Sequence, residues 1–451
     1  MTLFCPYKAK LQKAIHFAKK KALNINNRRP SISNEKPLWP GNKLTNYCEK
    51  GLSLLKHSGL LSFITSNGWM KSGYGAPLRN LLSQQFQPKC IIDFAGYKVF
   101  EAATVDVNIL FIENRTPYKK TIACTIDKSD FRLNKLSDFV ETHSALSDFS
   151  SSEEPSVAWS ILSELEKDIK QKIESIGTPL RQWDIRINFG IKTGYNDAFI
   201  ISGDTREKIL STCLSATERE KTAEIIRPIL RGRDINRYGY VFADQYLIAT
   251  FPAKNYDIDD YPALKNYLLT IGIERLEQTG EEHIVNGERI KARKKTNNKW
   301  FETQDSISYW DDLSRPKIIW GEISDKSKFC LDEKGEYYPE ATTFMLSGDN
   351  LYYLLAFLNC SVSEYVFSTI GTTTGVGTVR WKKYKILELA VPDHLAPAQV
   401  EQISNLCKEV VRLKRTASSR FADEERNLNY AIYSVYGLTA PEIEYIERQI
   451  S

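Results

Sequence analysis

The stretch 59–113 constrains the fold of this chain more than any other part of it. It reads GLLSFITSNGWMKSGYGAPLRNLLSQQFQPKCIIDFAGYKVFEAATVDVNILFIE. Three short apolar runs, at residues 60–64, 90–94 and 107–112, are rich in β-branched or aromatic side chains and bounded by turn residues. Runs of that length and composition read as buried strands. Between the first two, Leu78, Leu81 and Leu82 fall at helical spacing, so the spacing predicts a helix there. The segment 96–104 between the last two is too short for a crossover helix, which predicts an antiparallel pair. The expected fold class is therefore α/β: parallel strands joined by a helix, with an antiparallel partner at one edge.

With 451 residues the chain has room for two or three domains, each with ample core. The apolar share of 42% and charged share of 26% are ordinary for a globular protein. A net charge of +5 and a pI near 8.5 permit a nucleic-acid partner without demanding one. The eight cysteines are scattered with no C-x-x-C pair, which predicts reduced core thiols in a cytoplasmic protein. The five histidines offer no zinc-ligand spacing. Lys8, Lys10 and Lys13 stand where a signal peptide needs an apolar run, and the most apolar segment, 351–370, is interrupted by Asn359 and Glu364. No membrane partner is expected.

Within 59–113 a series of short motifs follows in order: Thr65-Ser66-Asn67-Gly68-Trp69, Tyr74-Gly75-Ala76-Pro77-Leu78-Arg79, Asp93-Phe94 and Val99-Phe100. This series resembles the end of the catalytic domain of adenine-specific DNA methyltransferases, in the branch of type IIG restriction-modification enzymes and TaqI-like methylases. The resemblance implies the C-terminal half of a methyltransferase Rossmann-like sheet. It also implies S-adenosylmethionine as cofactor of the complete family enzyme, held by a Gly-rich turn after the first strand. The family grips the target adenine with an Asn-Pro-Pro-Tyr motif, in which Asn and a Pro carbonyl accept from the exocyclic amine while Tyr stacks on the base. This sequence has neither motif upstream of Leu60. Phe4-Cys5-Pro6-Tyr7 lies at about the right separation from Phe63, but Phe and Cys cannot supply the amide acceptor. The expectation is that this chain alone holds no cofactor and no catalytic residue, and that a separate chain carries the N-terminal methylase half. Phe100 stands where the resemblance implies an aromatic packed on a flipped adenine, and equally where it would cap the core of the hairpin.

The segment 180–392 carries a second series. It runs Gly190-Ile191-Lys192-Thr193-Gly194-Tyr195-Asn196-Asp197-Ala198-Phe199, then Arg227-Pro228-Ile229-Leu230-Arg231-Gly232-Arg233-Asp234-Ile235. Arg315-Pro316-Lys317-Ile318-Ile319-Trp320 and a closing Arg380-Trp381 follow. Together these resemble the TaqI-like C-terminal specificity domain, which implies double-stranded DNA as partner. Lys192-Thr193-Gly194 reads as a turn that brings a cation to the surface, closed by Asn196 or Asp197. Arg231 and Arg233, with Arg237 beyond them, can fork onto guanine or clamp phosphate. The alternative is an ion pair with Asp234 that fixes a loop.

The insertion 281–300 is the strongest basic segment, with Arg289, Lys291, Arg293, Lys294, Lys295 and Lys299 beside Asn297, Asn298 and Trp300. It reads as a loop whose cations meet phosphates. A second candidate is 369–383, where Gly371, Gly375 and Gly377 precede Arg380, Trp381, Lys382 and Lys383. It lacks the Gly-Lys-Ser/Thr ending of a Walker motif. The candidate DNA-binding residues are thus Lys192, Thr193, Asn196, Arg231, Arg233, Arg237, Arg289, Lys291, Arg293, Lys294, Lys295, Arg380, Trp381 and Lys382.

The expected organisation is a basic leader at 1–41, the C-terminal part of a methyltransferase domain at 42–118, and a connector with a helix at 119–179. A target-recognition domain follows at 180–395, then C-terminal helices at 396–451. Strands are expected at 199–201, 316–320 and 343–346, one helix over 351–367, and Trp310 and Trp320 in the core. The function expected is DNA target recognition without methyl transfer by this chain alone. Two other readings remain open on the sequence: a self-sufficient adenine methyltransferase with degenerate motifs, and a non-catalytic interaction protein of phage defence.

Overall fold

A computed structural model of the chain describes residues 43–95, 97, 99–100, 106–118, 120–126, 136–149, 158–373 and 378–450. The basic leader, Phe4-Cys5-Pro6-Tyr7, Gly375 and Gly377 lie outside the described residues. The chain divides into two compact units near Lys170, with residues 369–377 assigned to the first.

The first unit is built on one sheet. After helix α1 (Lys43–Ser53) come β1 (Leu60–Ser66), α2 (Ala76–Gln84), β2 (Gln87–Asp93), β3 (Val107–Glu113), β4 (Thr121–Thr125), α3 (Leu136–His143) and β5 (Ala145–Ser147). The strand order is β1-β3-β2-β4-β5. Strands β2 and β3 pair antiparallel, as the short connection requires. The expectation of an edge position for β3 is corrected, because β3 pairs with β1 on its other side and lies between the two parallel strands. All seven residues of β3 are buried, as an interior strand demands. Alternation across the pleat sorts the apolar residues onto two faces. Ile91, Leu110, Ile112 and Ala123 join Leu78, Leu82 and Trp69 on one face; Ile92, Ile109, Phe111 and Cys124 join Leu136 and Val140 on the other. A sheet covered on both faces is the α/β arrangement that the apolar runs imply.

Residues 119–179 are not a plain connector. Strand β4 pairs parallel with β2, and β5 pairs antiparallel with β4, so this segment widens the sheet. Only α4 (Glu164–Ile176) matches the expected linking helix, and the division between units falls within it.

The second unit contains two four-stranded sheets. One orders β14 (Tyr338–Pro339), β8 (Ile226–Leu230), β9 (Gln245–Ile248) and β7 (Ile200–Ser202). The other orders β13 (Phe329–Asp332), β12 (Lys317–Gly321), β15 (Thr343–Gly348) and β6 (Ile185–Phe189), antiparallel throughout. A separate hairpin joins β10 (Glu282–Val285) to β11 (Glu288–Lys291). One core cluster runs from Ile191 and Phe199 through Ile229, Leu247 and Leu264 to Ile319 and Met345. Trp320 is buried as expected, whereas Trp310 is half-buried beneath the Lys254 ammonium, 4.3 Å from its ring centroid.

The single helix expected over 351–367 is two, α5 (Leu351–Asn359) and α6 (Ser361–Ile370), broken at Cys360 with extended ψ of 157°. The break follows from Asn359. Its side chain accepts from Phe329 N at 3.0 Å and donates to Phe329 O at 2.9 Å, and its carbonyl accepts from Arg237 and Ser327. Helices α7 (Pro397–Arg415), α8 (Phe421–Val435) and α9 (Ala440–Ile450) end the chain close to their expected places. No described helix is long and apolar enough to cross a membrane. The described cysteines are all free, and no described cluster of His, Cys, Asp or Glu could hold a metal ion.

Candidate nucleic-acid interface

In the first unit the motif residues build structure. Asn67 donates to Asp93 Oδ1 at 2.9 Å, and the same oxygen accepts from Ala95 N at 3.0 Å, tying the ends of β1 and β2 together. The Arg79 guanidinium is buried and donates to the carbonyls of Trp69 and Ser72, and burial holds its pKa below the usual arginine range. Phe100 is half-buried against the cluster of Ile92, Phe94, Ile109 and Phe111. That contact gives it a packing role on at least one side.

In the second unit the motif at 190–199 meets a carboxylate outside the expected set, Glu340. Its Oε2 accepts from Thr342 N and Oγ1 at 2.9 and 2.6 Å, and its Oε1 accepts from Asn196 Nδ2 at 3.4 Å. Asn196 in turn accepts from Thr193 Oγ1 at 2.7 Å, which also takes Tyr195 N at 3.1 Å and so closes the expected turn. Gly194 sits at φ +82°, a conformation open to glycine. Gly232 packs on Gly321 and Thr342, and the neighbouring Glu322 accepts from Arg380 Nη1 at 2.7 Å. The cue available in the sequence was a carboxylate between two strand-like runs, which must find partners once buried.

Several candidates are engaged inside the unit. Arg231 forks onto Asp234 with two hydrogen bonds of 2.8 Å. Burial alone would raise the Asp234 carboxyl, but the hydrogen bonds from Arg231 outweigh it and hold the carboxyl below its usual range. Arg237 lies between Glu425 at 3.0 Å and Glu364 at 3.4 Å. Thr193 is buried. Trp381 is buried and stacked on Phe367 at 3.9 Å, and its carbonyl accepts from Trp320 Nε1. A ring closed into the core cannot stack on a base.

Arg293 is the most fully engaged of the candidates. It is 4% exposed, and its guanidinium donates to the carbonyls of Leu276, Thr193, Glu302 and Trp300 at 2.6 to 2.9 Å. Burial pushes its pKa down to about 10, so it remains a cation at neutral pH. The same bond to Thr193 O connects the Glu340 network to the hairpin base. Arg275, absent from the expected set, donates to Lys291 O and lies over the Tyr195 ring at 4.3 Å.

The remaining candidates face solvent. Lys291, Lys294, Lys295 and Arg233 are exposed, and Arg289 is exposed beside Glu282 at 3.5 Å. Lys192 is exposed and pairs loosely with Asp305 at 3.6 Å. Asn196 is exposed at the surface though its amide is engaged, while Arg380 and Lys382 are half-buried. The basic insertion is therefore an ordered hairpin and a following cationic segment fastened by Arg293 and Arg275.

Two family models match the chain: the Eco57I restriction-modification methylase over residues 16–100, and the TaqI-like C-terminal specificity domain over 227–391. The chain is 23% identical over 424 residues to the type II methyltransferase M.BstVI of Geobacillus stearothermophilus, covering 89% of this chain and 68% of that one. It is 23% identical to the type II methyltransferase M.PaeR7I of Pseudomonas aeruginosa, covering 88% and 64%. The chain thus spans about two thirds of the length of these curated relatives. Its fold is similar to that of the type IIL restriction-modification enzyme MmeI, solved in complex with DNA, with a TM-score of 0.54 at 11% identity. That match covers 90% of this chain and 51% of MmeI. The chain thus joins a segment that matches the Eco57I restriction-modification methylase to one that matches the TaqI-like C-terminal specificity domain.

Proposed function

We propose that this chain is the DNA target-recognition portion of an adenine-specific restriction-modification methyltransferase and binds duplex DNA through the second unit. On this reading, residues 42–118 close the methylase domain, 180–395 recognise the target and 396–451 support them. The carrying observation is the row Lys291, Lys294 and Lys295, exposed beside Arg289 on a segment whose base Arg293 holds fast. Cations fixed on a rigid mount can meet phosphates without first being ordered. The likeness to MmeI, which was solved with DNA, supports the same reading. Methyl transfer requires an S-adenosylmethionine turn and an adenine-gripping motif, and another chain or segment supplies them.

Fluorescence titration of duplex DNA against salt tests the binding. Expected is an affinity that falls linearly in log–log form, with a slope of about −0.9 per phosphate neutralised. Salt-independent or undetectable binding removes the proposal. Transfer of a labelled methyl group by the purified single chain would remove its second part.

A further inference from the structure

We infer that the outward face of the β10–β11 hairpin enters the DNA major groove and reads bases there, with Arg289 taking a guanine edge and Ile284 a neighbouring thymine methyl. This rests on the DNA-binding reading above and assigns that site its sequence-reading residues. The hairpin is regular: four residue pairs run from Glu282↔Lys291 to Val285↔Glu288. Its turn, Asn286-Gly287, has φ of +52° and +83°, the two left-handed positions of the tightest hairpin loop. Alternation splits its side chains cleanly. His283, Val285 and Ile290 are half-buried on one face. Ile284 (78% exposed), Arg289 and Lys291 stand on the other, with Ile284 directly opposite Arg289.

An isoleucine so exposed in the middle of an ordered strand has no packing role among the described residues. Its neighbours say what covers it. The face carries Arg289 and Lys291 against one carboxylate, Glu282, and exposed Lys294 and Lys295 follow in the chain, so cations outnumber acids around the apolar spot and suit an anionic partner. A major groove offers that combination: phosphate rims, guanine O6 and N7 as acceptors, and the thymine methyl. The dimensions agree. Four residues per strand reach about 13 Å at roughly 3.3 Å per residue. The groove is about 12 Å wide and 8.5 Å deep, and admits a two-stranded ribbon. Arg293 and Arg275 hold the base of the ribbon at Thr193, Leu276, Trp300 and Lys291, so the tip is presented on a fixed support. Glu282, 3.5 Å from Arg289 Nη1, keeps that guanidinium over the ribbon.

The full-length chain is used to select from a duplex library with a randomised centre, and the selected sites are then probed with dimethyl sulfate, which attacks guanine N7. Expected is a motif containing G and T, with that guanine protected by the wild type. Arg289→Ala should lose the protection and the preference for G, weakening the selected site roughly 10- to 100-fold while leaving random DNA unchanged. Ile284→Ala should relax the T position alone. Both variants should unfold at the wild-type temperature, since the residues they alter face solvent. If the wild type selects a motif and both variants select it unchanged, the hairpin does not read bases and the DNA-binding reading survives. A wild type that binds DNA without any motif likewise overturns the hairpin assignment. A wild type that binds no DNA overturns both.

Discussion

Two adjacent residues, Arg293 and Lys294, show how differently neighbouring cations can be employed. Arg293 is sealed in and satisfies four carbonyls, while Lys294 lies in solvent. Arg293→Ala should remove four hydrogen bonds to carbonyls, only one of which, Glu302 O, keeps another side-chain donor in Gln278, and leave a void, lowering stability by about 3 kcal/mol or more in urea denaturation. Arg293→Lys should recover only part of this, because one ammonium cannot span four separated acceptors. Reversing Lys294 and Lys295 together to Glu should leave the unfolding curve alone. It should weaken binding to every duplex and flatten the salt slope by about 1 per cation removed. Gly190 makes a third case: a Cβ there would overlap the Glu340 carbonyl, so Gly190→Ala must displace the Glu340 segment. A drop in melting temperature together with weaker DNA binding is the expected pair of readings.

At the level of elements, the hairpin turn should be separable from the rest of the unit. A Cβ at Gly287 would meet no atom within 4 Å, so the penalty of Gly287→Ala is its φ of +83°. That strain, roughly 1–2 kcal/mol, should open β10 and β11 without unfolding the protein. Faster hydrogen exchange confined to residues 282–291 would report it. The strands at the heart of both units were legible because short apolar runs bounded by turn residues have few alternatives. The hairpin itself was not. Its charges made 281–300 read as loop, although Asn286-Gly287 between Ile284 and Ile290 is a turn signal. The helix break at Cys360 was invisible, because it depends on Phe329, Ser327 and Arg237, far off in the chain. The same limit applies to the site. Residue type and spacing identified the basic segment, but which of its cations is buried depends on the carbonyls of Leu276 and Thr193, which no local pattern announces.

For the molecule as a whole, carboxylates with depressed pKa values set the acid limit. Burial alone would raise Glu442, but hydrogen bonds from Lys172, at 2.7 Å, and from Thr439 N and Oγ1 outweigh it and hold the carboxyl below its usual range. Asp234 behaves in the same way through Arg231. A folded carboxyl with a pKa below its unfolded value stabilises the fold above the unfolded pKa. That contribution is lost as pH falls through the folded value. The melting temperature should therefore hold steady near neutral pH and fall once the pH drops below about 4. Glu442→Gln should start lower and show a shallower acid limb, which circular dichroism melts across pH would measure.

The grip of Arg293 has one more consequence. All four of its acceptors belong to residues outside the stretch 282–291, and Arg275 takes only the backbone carbonyl of Lys291, so the anchorage does not draw on the ribbon's outward side chains. Substitution there is free to redirect the preference for target while the mount beneath stays put. A graft of those ten residues from a relative should transplant its preference into this scaffold, provided the host keeps Arg293 and Arg275 in place.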